Sequence, residues 1–146
     1  MKKSLVIAFI AVLTFSCQSK VASSDIPKIN GYWEIEKVVF PDGNKKEYSI
    51  NEVYDYFEIK NNKGIRKKVM PQLDGTFIVN DTFENVEIKE TDGKYSIHYS
   101  TAFAKWQEEI VSLSDQELVI LNPSKKEYHY KRATPINIIP NGKKTQ

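Results

Sequence analysis

A single cysteine, Cys17, stands in a chain of 146 residues, so no disulfide can close within it. Histidine is nearly as scarce, and His98 and His129 lack the close spacing of a His-Glu or Cys-His metal set. The longest apolar run, Leu5 to Phe15, has 11 positions interrupted only by Thr14. That is well short of the about 20 residues a helix needs to span a bilayer. Charge of neither sign prevails, with 21 Lys plus Arg against 19 Asp plus Glu. The six glycines fall in turns or at a strand start and form no phosphate-binding loop. No nucleophile stands beside a base, and the paired acids Glu34/Glu36 and Glu108-Glu109 read as solvated strand faces. No fixed long repeat and no low-complexity stretch is present. These gaps argue against an enzyme, a metal site or a cofactor.

What is present begins with a leader. Met1-Lys2-Lys3-Ser4 is a basic start, the apolar run follows, and Ser16-Cys17 closes it, which is the pattern of an export signal. The order Leu13-Thr14-Phe15-Ser16-Cys17 resembles a bacterial lipobox. That resemblance implies that Cys17 receives a diacylglycerol thioether and becomes the mature N-terminus, anchoring an exported protein to a membrane of the cell envelope. The alternative is ordinary cleavage after Ser16, leaving Cys17 as a free thiol. Removing residues 1–16 leaves 130 and takes Lys2 and Lys3 away, so the mature charge is balanced and a nucleic-acid partner is not expected.

Residues 17–29 are short, polar and Ser-rich and are expected to form the lipidated N-terminus and a tether. The remainder, 30–134, suffices for one domain with one core. Its apolar residues alternate with polar ones and are cut at short intervals by Asp, Asn, Gly and Pro, so period two prevails over period 3.6. Strands are predicted at 32–40, 53–60, 65–70, 76–79, 83–90, 94–101, 104–112, 117–121 and 126–132. Connections such as Asn61-Asn62-Lys63-Gly64 and Thr91-Asp92-Gly93 are short enough to force antiparallel neighbours. The longest connection, 41–52, could hold a helical turn or a flap over Tyr48 to Glu52. Sequential hairpins favour an all-β, antiparallel, up-and-down barrel over a sandwich, because closure removes exposed edges. The tail 135–146 carries two prolines, which disfavour a helix, and offers Ile136, Ile138 and Ile139 to the barrel wall.

Alternation assigns faces once Trp33 is taken as inward. Ile35 then points in, as do Val53, Asp55, Phe57 and Ile59, then Tyr95, Ile97 and Tyr99, and finally Tyr128, Tyr130 and Arg132. His98 and His129 point out. An inner face with several phenols suits a cavity holding water or an amphiphilic guest, while tyrosine hydroxyls at a barrel mouth would explain the same pattern. The residues expected to line a ligand site are Trp33, Ile35, Phe57, Ile59, Tyr95, Ile97, Tyr99, Tyr128, Tyr130 and Arg132. Closure would make Trp33 and Arg132 neighbours, with the guanidinium stacked on the indole. The basic run Arg66-Lys67-Lys68, with Lys60 and Lys63, reads as a solvated hairpin or as a contact for anionic headgroups or an acidic partner.

Three stretches carry a resemblance to the lipocalins, and more closely to lipocalin-like bacterial lipoproteins. Gly31-Tyr32-Trp33 resembles the G-x-W at the head of the first strand. The stretch from Ile110 to Ile120 resembles a late hairpin, and Tyr128-His129-Tyr130-Lys131-Arg132 a last strand whose arginine covers the tryptophan. The resemblance implies a barrel of eight to ten strands. Secreted lipocalins add a helix after the last strand and often a disulfide, and this chain offers neither. The expected function is a membrane-anchored, monomeric module that binds a small hydrophobic or amphiphilic ligand in the barrel. The alternative is an interaction or structural lipoprotein whose barrel is filled by its own side chains.

Overall fold

The structure, a computed structural model, describes residues 20–134. The leader 1–16, Cys17 and the tail 135–146 with Ile136, Ile138 and Ile139 lie outside the described residues. Ten strands follow one another: β1 Gly31–Val39, β2 Lys45–Glu47, β3 Tyr54–Lys60, β4 Lys63–Pro71, β5 Phe77–Val79, β6 Glu84–Thr91, β7 Lys94–Ser100, β8 Lys105–Leu113, β9 Glu117–Leu121 and β10 Glu127–Arg132. Every pairing is antiparallel. β10 returns to β1, with Trp33 opposite Arg132 and Ile35 opposite Tyr130, and the sheet closes into a barrel. Eight strands, β1, β3, β4 and β6 to β10, make the wall; β2 extends the end of β1, and β5 the end of β4.

Local chemistry explains the hairpins. Asn61 and Asn62 take φ of 52° and 64°, and Asp92 and Gly93 take 52° and 76°. Two residues in the left-handed region match the right-handed twist of the strands they join, which is why Asn and Gly stand there. In the 41–52 connection the structure places β2 where a helical turn or flap was expected further along. Asp42 Oδ1 accepts from Asn44 N at 3.0 Å and Phe40 N donates to Asn44 O at 2.9 Å, folding the chain back so that Lys45–Glu47 pair with β1.

A second difference concerns 17–29, expected to be a tether. Residues Ser23–Ile29 form a short 3-10 helix across one end of the barrel, and Val21, Ile26 and Ile29 are buried there. An open lower end would leave Trp33, Phe57 and Leu118 in water, and covering apolar surface yields about 25 cal/mol per Å². Asp25 holds the turn, accepting from Ala22 N at 3.0 Å and from Lys28 Nζ at 2.8 Å.

The main core fills the lower half of the barrel with Trp33, Phe57, Val86, Ile88, Ile97, Ile110, Leu113, Leu118 and Ile120 beneath that helix, and continues upward to Tyr99, with Trp106 and Tyr130 packed against it. A smaller cluster lies on the outer wall, where Tyr54, Val69 and Ala133 are covered by Tyr32, Tyr56 and Phe77. Val53, expected inward, lies ahead of β3 and is exposed. The wall begins one residue later, so no partner strand holds it.

Candidate binding site at the open end of the barrel

The two ends differ in kind. At the closed end the Arg132 guanidinium carbon lies 3.8 Å from the centre of the Trp33 ring. Its Nη1 donates to Asn30 O and its Nη2 to Lys28 O, both at 2.6 Å, and its Nε to Asp115 O at 2.9 Å. Trp33 Nε1 donates to Ile29 O at 2.7 Å. A cation stacked on an indole and bonded to three carbonyls is tolerable where a bare one would not be. Burial pulls the Arg132 pKa down, with Asp115 opposing. Gly31 has φ of +108°, and a Cβ there would meet Arg132 Nη1 at 3.0 Å, so the position suits glycine on both counts. These groups tie the first strand, the last strand and the 3-10 helix into a lid.

The opposite end is open. It is bounded by the connections 40–53, 72–83, 101–104 and 122–126. Ile35, Trp106, Glu108 and Tyr128 face inward by register and are only half-buried, so solvent reaches into the upper half of the barrel, while the inward Tyr130 phenol is set deeper against the core. This upper half is polar. Arg66 is buried, and its Nε donates to Glu84 Oε2 at 2.6 Å, with Asp55 Oδ1 3.8 Å away. Lys68 Nζ approaches the same Asp55 oxygen at 2.6 Å as an ion pair rather than an aligned hydrogen bond. The Arg66 guanidinium lies 4.3 Å from the Tyr99 ring centre, and Tyr99 stacks on Trp106 at 5.0 Å and 16°.

The arrangement corrects two expectations. Arg66 is buried on the inner face and is not part of a solvated hairpin, and Lys68 shares that face by register while staying exposed at the mouth, because Phe57 pairs with Arg66 and Asp55 with Lys68 across β3 and β4. Only Lys67 between them points out. Glu108 likewise faces inward, opposite Ile97, while its neighbour Glu109 faces out and pairs with Lys94 at 3.1 Å. The signal that could have found them is the alternation itself, carried from Phe57 and Ile97 across the hairpins.

The electrostatics follow from burial. Desolvation works against the Arg66 charge, but the Glu84 hydrogen bond and the nearby Tyr99 and Asp55 hold its pKa above the ordinary value. Burial raises the Tyr99 and Tyr130 phenols well above the usual range. Burial also raises the Glu108 carboxyl, with Arg66 opposing. The Tyr99 hydroxyl is fully buried and makes no well-formed hydrogen bond, although the Glu108 carboxyl is close enough to influence its ionisation.

Around the mouth stands an apolar rim. Ile50, Val53, Met70, Leu73, Ile78, Val79, Phe83 and Phe103 are the large hydrophobic side chains left exposed among the described residues, and all lie at this end. Phe103 is 98% exposed and Ile50 87%. A cavity of about 150 Å³ at the lip is lined by Arg66, Lys68, Thr82, Phe83, Glu84 and Thr101.

The residues expected to line a ligand site therefore divide. Trp33, Phe57 and Ile97 are sealed in the lower core, with Ile59 and Tyr95 packed against it. Arg132 closes the bottom. Ile35, Tyr99, Tyr128 and Tyr130 stand in the upper half with Asp55, which was read as inward, and are joined by Arg66, Lys68, Glu84, Trp106 and Glu108, which were not expected there. His98 and His129 point out by register; His129 Nε2 lies 3.0 Å from Glu127 and His98 Nε2 3.0 Å from Ser96 Oγ.

No curated protein matches the sequence. Among solved structures, a lipocalin-like protein from Bacteroides uniformis is similar at 14% identity and a TM-score of 0.48, over 73% of this chain and 99% of that one. A protein from Bacteroides eggerthii is similar at 14% identity and a TM-score of 0.45, over 71% of this chain and 98% of that one. The profile of the lipocalin-like domain matches residues 29–120, from the 3-10 helix through β9. The chain belongs to the lipocalin-like domain family.

Proposed function

We propose that the protein is a lipid-anchored, monomeric binding module of the cell envelope that takes an amphiphile at the open end of its barrel, without catalysing a reaction. The observation that carries this reading is a polar, partly solvated cup directly beneath a ring of exposed apolar side chains. An amphiphile matches both, its head group in the cup and its apolar part on the rim. The anchor fits the same geometry. Lys20, three residues after Cys17, lies against Gly93 in the β6–β7 turn at the closed end. Three residues reach about 10 Å, so acyl chains on Cys17 hold the closed end near the membrane and direct the mouth away from it. Two or three acyl chains make such anchoring stable where one does not.

The filled lower half of the barrel favours a second reading, in which the apolar rim docks another protein and no small molecule enters. Native mass spectrometry of the protein released from its host's membranes separates the two. The expected result is a mature chain beginning at acylated Cys17 with a small amphiphile bound, which is lost on changing Phe83 and Phe103 to serine. A mature mass equal to the unmodified polypeptide would overturn the anchor. An empty barrel, with crosslinks from position 103 to a single protein, would establish the second reading.

A further inference from the structure

The charges in the upper half of the barrel do not balance. Arg66 is matched by Glu84 at 2.6 Å, and Lys68 by Asp55 at 2.6 Å. Glu108 is a third inward carboxyl, and among the described residues it forms no salt bridge. Beside it is the Tyr99 hydroxyl, fully buried and without a well-formed hydrogen bond. The walls around them are aromatic: Trp106 stacks on Tyr99, and Tyr128 and Tyr130 face in from β10. A buried polar atom left without a partner costs free energy, so a site that keeps one is a site prepared for something.

We propose that Glu108, Tyr99, Trp106 and Tyr130 form a recognition site for a cationic head group of the ammonium class. This deepens the proposed function and rests on it. An ammonium supplies the one charge the cup lacks, donates hydrogen bonds to the carboxylate and to a phenol oxygen, and meets the electron-rich faces of Trp106 and Tyr130. An anionic head group is disfavoured in the same place. Arg66 and Lys68 already hold their own carboxylates, and a further anion would face Glu108 unscreened in a half-buried site. The half-exposure of Glu108 and Trp106 supplies the route from the mouth.

The test uses the mature protein and three soluble six-carbon probes that differ only in the head: hexylammonium, hexanol and hexanoate. Trp106 reports binding by fluorescence, and Trp33, sealed at the closed end, serves as a constant background. The expected result is that hexylammonium binds at least tenfold more tightly than hexanol, with hexanoate weaker than both. Glu108→Gln should bring hexylammonium to the level of hexanol, while Glu109→Gln, next in the chain but outward, changes nothing. If hexanoate binds as tightly as hexylammonium, or Glu108→Gln leaves hexylammonium unaffected, the ammonium site is wrong and the amphiphile reading stands. If none of the three binds, both are overturned.

Discussion

At the scale of single residues, the most informative side chain is Arg66, because its charge is buried and its compensation is spread over two strands. Removing one partner of a buried pair leaves an uncompensated charge, typically a loss of about 3–5 kcal/mol. Arg66→Met is therefore expected to lower stability by that order in chemical denaturation, through stranding Glu84. Replacing Glu84 by leucine in the same chain should recover much of the loss, since the orphaned carboxylate goes with it. Glu108 behaves in the opposite sense. Its folded-state pKa is raised by burial, so the folded chain holds a proton where the unfolded chain has released it. Stability should fall as pH rises from the ordinary carboxylate value, about 4.3, to the raised one. Glu108→Gln should flatten that part of the stability-versus-pH curve, and an unchanged slope would show that another group is responsible. At the closed end, a double-mutant cycle of Trp33→Phe with Arg132→Met should yield a coupling of about 0.5–2 kcal/mol, because stacked partners do not add independently.

At the scale of elements, the 3-10 helix Ser23–Ile29 is a part of the barrel and not of the tether expected over 17–29. Ile29 is completely buried and its carbonyl receives the Trp33 indole, so both its side chain and its backbone serve the closed end. Ile29→Ala is expected to cost about 2–5 kcal/mol by removing buried methyl groups. Phe103→Ala, on the rim, should change stability by no more than about 0.5 kcal/mol. Equal effects in thermal denaturation would show that the helix does not dock. β2 and β5 continue the wall beyond β3 and β6 and raise two lips where the rim residues stand. Their existence depended on turns at Asp42-Gly43-Asn44 and Asp74-Gly75, which the turn chemistry made legible, and on strand edges able to receive them.

At the scale of the whole molecule, the barrel is divided across its axis. The lower half is dry and closed by Arg132, Trp33 and the helix; the upper half is polar, charged and open. A barrel uniformly filled with apolar side chains would have no reason to bury Arg66, Asp55 and Glu84 together, since an apolar core of similar volume is commonly as stable or more so. Their retention is what directs attention to the mouth, and the rim of exposed apolar side chains adds to it. A lipid at Cys17 would place this division across the membrane normal, closed end inward and mouth outward.

Nine of the ten strands, their hairpins, most of the inward face and the meeting of Trp33 with Arg132 were legible in the residues alone. Each rests on something local: period-two alternation, Asn and Asp-Gly turn chemistry, and the consequence of closing a meander. It took the folded chain to show that Arg66 and Glu108 are charges kept on the inner face, that residues 21–29 cap the barrel, and that the apolar surplus gathers at one end. The physical reason is that whether a charge can be buried depends on what faces it. Arg66 finds Glu84 18 positions away and Asp55 across a strand pair, neighbours set by the pairing of β4 with β3 and β6 and not by anything adjacent to Arg66 in the chain.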